Sequence, residues 1–478
     1  MTVTLGAPPQ LGTRGLLTLV TLCGATFMTG LDYSIIVVAL PEIGRDLGFA
    51  SAGDLQWVAT ACVLPTAALL PLCGRLSDLV GRRNLFVGGV AAFTVISLVA
   101  GLAVSPAMLI VARVGQGVAA AAIGATAIAL MTTTFPEGPQ RTRALGINGA
   151  LLSLGFVAGT IGGGIITNGL NWRWTMLILV FMGALILLGA LALLPRDGER
   201  GTARLDVPGA VLVSTGLFAL VYAFTVGAES GWTDLSTLAA LVAAVALLGS
   251  FLRVEARHSD PLVPLRLLNR PTVKWSSLIG LITFGMCGGT TLLLSLYMQD
   301  VLGYSPLASG FGFLGEGIAA LLAGAVASRL IGVRGATQAM IIGLVVQGVG
   351  TAAMVFLPAE GNLPLLLSTS SAMGFGHVLT VVAVITTMTS GLPDTDQGVA
   401  GSLAQMPQFV SAIGVAGLAA ITAATTRSLA PTTTPELAAL GGLQTAMLTA
   451  GVITLAGVAL TALLPRQAKN RTLSERSL

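Results

Sequence analysis

Asp32 stands in "TGLDYSIIVVALP" (residues 29–41), preceded by the apolar run "GLLTLVTLCGATFM" (15–28). Arg113 stands in "LIVARVGQGVAAA" (109–121), also among apolar neighbours. A charge left alone in hydrocarbon costs at least about 2.5–3.5 kcal/mol, so each of these residues needs a partner or a wet cavity. Counted along its helix, each lies about seven residues, roughly 10 Å, below the same membrane surface. Equal depth permits an ion pair, and Gln116, one turn from Arg113, can join it. Such a group can handle protons, although a purely structural pair would satisfy the same arithmetic. Glu316, in "GFLGEGIAALL" (312–322), sits about 17 Å into its own apolar run and is the acid lying deep in the second half. It is the second candidate for proton or cation handling. His377, in "GFGHVLT" (374–380), reads first as a packed histidine and second as a proton relay. Gln347, Gln405 and Gln408 are either cavity lining or interhelical hydrogen-bonding groups.

The elements that must hold these residues are membrane helices. The 478 residues are 54% hydrophobic and only 9% charged, with a mean hydropathy of +0.89. Soluble domains carry about 25% charged residues. Fourteen stretches are long and apolar enough to cross a bilayer: 16–39, 55–73, 85–104, 106–131, 144–168, 174–194, 208–227, 235–252, 275–297, 306–327, 337–357, 363–390, 398–424 and 442–464. Runs of this length predict helices, not the ten-residue strands of a barrel. With the N-terminus in the cytoplasm, 20 of the 24 Lys and Arg residues fall in cytoplasmic segments, which predicts both termini inside. The inside loop 391–397 departs from this bias, with Asp394 and Asp396 and no basic residue.

Other chemistries are disfavoured. The net charge of +4 is spread over short loops, which argues against nucleic acid as a partner. Neither Lys274 nor Lys469 follows a glycine-rich phosphate loop, so the chain does not read as an ATPase. The four cysteines (Cys23, Cys62, Cys73 and Cys287) form no CxxC pair and read as core residues. Neither a metal site nor an enzyme activity is expected.

A short repeat organises the chain. "SDLVGRR" (77–83) and "SRLIGVR" (328–334) share Ser, Leu, Gly and Arg at an offset of 251. Both follow the second span of a half. This predicts two similar six-helix bundles with a binding site between them. The divisions are residues 1–195, an inserted pair of spans with cytoplasmic linkers over 196–274, a second bundle over 275–465, and a cytoplasmic tail over 466–478. In the first copy Gly74, Asp78, Gly81, Arg82 and Arg83 make a tight charged loop suited to a conformational latch. Gly155, Gly159 and Gly163, in "GFVAGTIGGG", form a flat stripe for helix packing or sliding.

Taken in order, these segments resemble the major facilitator superfamily, and within it the fourteen-helix drug:proton antiporters. "LDYSIIVVALP" resembles that family's first-helix motif, "GRLSDLVGRR" its loop 2–3 motif, "RVGQGVAAA" its basic fourth-helix motif and "GFVAGTIGGG" its fifth-helix antiporter motif. "WRW" (172–174) and "YMQDVLGYSPLASG" (297–310) fit the same pattern. The chain departs from it with Thr160 where the motif has Pro, Leu79 where a basic residue is usual, and no acid within 398–424. The last departure points to neutral or anionic cargo. The resemblance implies a monomeric multi-pass protein of the cell membrane that exports a small organic molecule, an antibiotic or drug, by alternating access. Its energy source would be the proton gradient, with no cofactor. The alternative on the same architecture is a proton-linked importer.

Overall fold

The computed structural model describes residues 12–49, 52–196, 206–258, 261–393 and 396–465. The proposed tail (466–478), and with it four of the basic residues used for orientation, lies outside the described residues, as do Arg200, Arg204 and Asp394.

The first bundle consists of α1 (Thr13–Leu47), α2 (Ala52–Val80), α3 (Arg82–Gly101), α4 (Pro106–Thr134), α5 (Pro139–Gly169) and α6 (Arg173–Leu193). The insert is the hairpin α7 (Val207–Ser230) and α8 (Leu235–Glu255), followed by the short α9 (Leu265–Leu268). The second bundle consists of α10 (Pro271–Leu296), α11 (Pro306–Gly312), α12 (Leu314–Arg334), α13 (Ala336–Ala353), α14 (Leu363–Thr389), α15 (Gln397–Val410), α16 (Ala412–Leu429) and α17 (Pro435–Thr461). These helices supply fourteen candidate spans among the described residues. The fold is that of two six-helix bundles with two added helices.

Helix starts follow local chemistry. Ser105, Asp206, Ser305 and Thr434 each accept a backbone N–H of the first turn, and a proline occupies one of the next positions. Such a side chain satisfies a donor the helix cannot, and proline has no N–H to lose there. Gly81 and Gly335, at φ of +107° and +85°, turn the chain between α2 and α3 and between α12 and α13. An L side chain rarely adopts that conformation. The second turn therefore falls at Gly335, three residues beyond Gly332, which the sequence offset pairs with Gly81. The helix simply runs on through Arg334.

Two expected spans are not continuous helices. The tenth breaks at Phe313 between α11 and α12, within the glycine-rich "GFGFLGEG". The thirteenth breaks at Ser411 between α15 and α16, four residues after Pro407. Glycine weakens a helix by entropy, and proline by its missing donor. The fifth span, with Thr160 in place of proline, runs unbroken for 31 residues.

Within the first bundle α1 packs on α5 and α6, α2 on α4, and α3 on α4 and α6. In the second, α10 packs on α14, α16 and α17, and α13 on α14 and α17. The bundles meet along α5–α12, α2–α15 and α4–α15. The inserted α7 touches α2 of one bundle and α16 of the other, with Trp57 against Tyr222 at 6.0 Å between ring centres.

Candidate functional site

Asp32 on α1 and Arg113 on α4 meet at 2.6 Å. The Arg113 side chain is 0% exposed and that of Asp32 1%. Nη1 of Arg113 also donates to Oε1 of Gln116 (2.9 Å), and Nε donates to the Val58 carbonyl on α2 (2.9 Å). The Gln116 amide donates to Ser97 Oγ on α3 at 2.8 Å. Cys62 Sγ approaches the other Asp32 oxygen at 3.6 Å. One guanidinium thus ties α1, α2 and α4 together, and through Gln116 it reaches α3. Its planar fork of donors suits this; the single ammonium of lysine would not. The sequence placed Asp32, Arg113 and Gln116 together by depth. It gave no sign of Val58, whose contribution is a backbone carbonyl, or of Ser97.

Next to this group, but not including it, lies the central cavity, of about 420 Å³. Tyr33 and Ser34 of α1 line it, while Asp32 points away into the bundle. The second bundle contributes Phe284 and Cys287 of α10, Glu316 of α12, His377 of α14 and Gln408 of α15. Glu316 is therefore in the cavity wall and apart from the Asp32 pair. One of its oxygens, Oε2, is buried with no hydrogen-bond partner among the described residues. No Lys or Arg lines the cavity among the described residues. Of the neutral or anionic cargo expected from the missing acid of the thirteenth span, a neutral one would meet the apolar wall, and an anionic one would meet no Lys or Arg in this lining. Of the three glutamines, Gln408 lines the cavity, Gln405 donates to the Gly124 carbonyl of the other bundle (2.9 Å), and Gln347 is buried against Thr283.

The glycine stripe faces α1. A methyl group at Gly159 would lie 2.6 Å from the Leu31 carbonyl, and one at Gly163 3.0 Å from that of Ile35. Gly155 faces the Phe27 carbonyl in the same way. Gly30 of α1 answers with its own close approach, 2.6 Å, to the Leu152 carbonyl. The two helices are in backbone contact beside the cavity, an approach open only to small residues.

The latch residues lie where α2 ends and α3 begins. Arg82 holds Asp78 at 2.9 Å, and Arg83 donates to the Leu191 and Leu194 carbonyls at the end of α6. Asp78 faces the first turn of α15 at Gly398, and Gly74 packs on Ser402 so closely that a methyl there would be 2.5 Å from its hydroxyl. Nearby, Arg266 of α9 pairs with Asp396 at 3.0 Å, and Arg270 donates to the Gly391 carbonyl. Asp396 of the loop that broke the charge bias is thus paired with an arginine 130 residues earlier, a partnership invisible to a loop-by-loop count. All these contacts lie on the face where α1 begins. The cavity is lined by the later halves of α1 and α10 and so lies toward the opposite face.

Two bundles closed on one face, with a mostly apolar central cavity toward the other, define a membrane carrier of small molecules. The profile of the Major Facilitator Superfamily matches residues 22–416. The chain belongs to that superfamily. It is 38% identical over 415 residues to the cephamycin export protein CmcT of Amycolatopsis lactamdurans, covering 84% of each chain. It is 37% identical over 433 residues to the puromycin resistance protein pur8 of Streptomyces alboniger, covering 89% of this chain and 85% of that one. The crystal structure of the human organic anion transporter MFSD10 (TETRAN) superposes with a TM-score of 0.65 over 95% of this chain, at 16% identity. That likeness is one of fold.

Proposed function

We propose that the protein exports a small organic molecule, an antibiotic or drug, across the cell membrane in exchange for protons, by alternating access. The relatives named for export and resistance support the direction and the kind of cargo. The observation that carries the coupling is the buried Asp32–Arg113 pair, one residue from the cavity wall at Tyr33. A carboxylate held by one guanidinium at 2.6 Å can be released by a proton, because a neutral carboxyl no longer attracts the cation. Releasing Asp32 frees Arg113 and with it the contact among α1, α2 and α4 that shapes the first bundle's side of the cavity. Protonation at one site is then tied to a change of packing at another.

Charge bias makes the face where α1 begins the cytoplasmic one, with both termini inside. The latch then closes the cytoplasmic side, and the present arrangement is the one that faces outward. Export requires the opposite arrangement, in which the contacts of Gly74 and Asp78 with α15 are broken. The energy suffices: one charge moved through 100 mV yields about 2.3 kcal/mol, roughly a 50-fold gradient of cargo.

The test uses inverted membrane vesicles with an imposed pH gradient and a panel of antibiotics. Uptake should follow the gradient and collapse when a protonophore is added. Gradient-driven uptake, normalised to the amount of protein in the membrane, should be lost in Asp32→Asn. Undiminished proton-driven uptake in that variant removes Asp32 from the mechanism.

A further inference from the structure

The second bundle carries a neutral polar group where the first carries its ion pair. Thr283 follows Asp32 by the 251 residues of the repeat, and the next residue, Phe284, lines the cavity as Tyr33 does. The partners come from corresponding spans. In the first bundle Arg113 on α4 meets Asp32 and reaches Ser97 on α3 through Gln116; in the second Gln347 on α13 and His377 on α14 both meet Thr283.

The hydrogen-bond inventory of this group fixes where its protons lie. The Gln347 amide nitrogen faces the Thr283 carbonyl at 3.0 Å, which can only accept, so the amide orientation is settled. Gln347 Oε1 therefore faces Thr283 Oγ1 at 2.5 Å and must receive its hydrogen. That is the only hydrogen the hydroxyl has. His377 Nδ1 lies 3.2 Å from the same oxygen, which is now only an acceptor, so Nδ1 carries the ring proton. In the neutral ring Nε2 is left as a bare acceptor. The edge-on contact with Phe284, 4.8 Å between ring centres, helps hold the ring in place.

Glu316 lies close by. Its stem packs on Gly374, where a methyl group would be 2.5 Å from Glu316 Cγ. Gly374 is three residues before His377 on α14, and so on the same face. The carboxyl and the imidazole line the same cavity, and among the described residues no donor reaches Glu316 Oε2. An unmatched buried acceptor of this kind is costly unless a ligand or solvent supplies the hydrogen. The remainder of the wall is largely apolar, with Leu152, Phe156, Val157 and Leu292 among its residues.

We infer that Glu316 and the Nε2 atom of His377 form an acceptor subsite for the protonated amine of an amphipathic weak base, with Thr283 and Gln347 as positioning residues that fix the imidazole tautomer. An ammonium supplies both the hydrogens and the charge this wall lacks, and the apolar wall takes the rest of the molecule. A carboxylate or sulfonate finds no Lys or Arg among the described lining residues to meet it. The assignment rests on the reading of this cavity as the cargo site.

The experiment is equilibrium binding to the full chain in lipid nanodiscs, followed by flux in vesicles with the same probes. The probes are doxorubicin and 1-naphthylmethylamine, each beside its N-acetyl derivative, with 8-anilinonaphthalene-1-sulfonate as an amphipathic anion. Wild type should bind each amine about tenfold or more tightly than its acetylated form, with the sulfonate weakest. Glu316→Gln should bring each pair to within about twofold. Thr283→Val should lower the amine preference by freeing the tautomer, and Thr283→Ser, which keeps the hydroxyl, should restore it. Acetylated forms equal to amines, a sulfonate bound most tightly, no binding of any amine, or a preference that survives Glu316→Gln each overturns the subsite. Amine preference without gradient-driven flux leaves the subsite standing and rejects proton-coupled export. Flux of neutral or anionic cargo without amine preference does the reverse.

Discussion

At the residue scale the decisive fact is that Asp32 and Arg113 are each nearly inaccessible and each useless to the fold without the other. Removing one partner of a buried ion pair typically costs about 3–5 kcal/mol, because the remaining charge stays buried without compensation. Arg113→Leu should therefore lower the thermal midpoint in detergent more than the double variant Asp32→Asn/Arg113→Leu does. A double variant that is less stable than the single would show that the pair does not interact as its 2.6 Å separation implies. Arg113→Lys should also be impaired in transport, since an ammonium cannot hold Val58, Asp32 and Gln116 in one plane. The pair itself was legible, because two charges at equal depth in apolar helices leave few other solutions. Its surroundings were not. A backbone carbonyl such as that of Val58 leaves no trace in residue type, and Ser97 is one serine among many. Glu316 was legible as an exception to hydropathy, but whether it lay with Asp32 or apart from it was a question of which helices adjoin.

At the element scale, α1 and α5 touch through their backbones, and the glycines permit it. Gly159→Val should be among the most damaging single changes in the chain. The nearest neighbours of its added carbon are the Ser34 hydroxyl and the Leu31 carbonyl, and a helix backbone cannot move aside as a side chain can. Overpacking of this kind costs about 1–3 kcal/mol, readable as a lower thermal midpoint. Gly162→Ala is the control: it lies in the same run, with nothing within 4 Å of the added methyl. The stripe was visible as a spacing of four, although spacing alone did not say which helix lay opposite. Span number was also legible, since length and hydropathy are properties of the chain. The breaks at Phe313 and Ser411 were not. Glycine-rich and proline-containing segments are common in membrane helices, and whether one breaks depends on neighbours that accept the freed backbone groups.

At the scale of the whole molecule, one face is closed by a distributed set of polar contacts: Asp78 against the start of α15, Gln405 to the Gly124 carbonyl, and Arg266 with Asp396. Because the Arg266 side chain is 71% exposed, its ion pair is worth little by itself, about 0–1 kcal/mol. A shift of that size still changes a two-state population several-fold when the states are nearly balanced. Arg266→Glu, which places two acids together, should favour the state open on this face. A thiol introduced by Ser402→Cys should then react faster with a membrane-impermeant maleimide applied from the latch side. An unchanged rate would mean that this pair does not bias the equilibrium. The repeat made the two-bundle plan readable from seven residues. The long-range partners of the latch were not readable, since Arg266 and Asp396 are 130 positions apart and belong to segments that look like plain connectors.

The inserted helix α7 is fastened to α2 on one side and to α16 on the other, while α8 packs on α7. In the alternating-access cycle proposed above, a rod attached across both bundles cannot keep both attachments unchanged through a full swing. Either it slips along one flank on each stroke, or it bends like a leaf spring and stores part of the stroke. Meanwhile it fences that side of the gap against acyl chains, so a greasy passenger arriving sideways from the lipid would have to board from elsewhere on the rim.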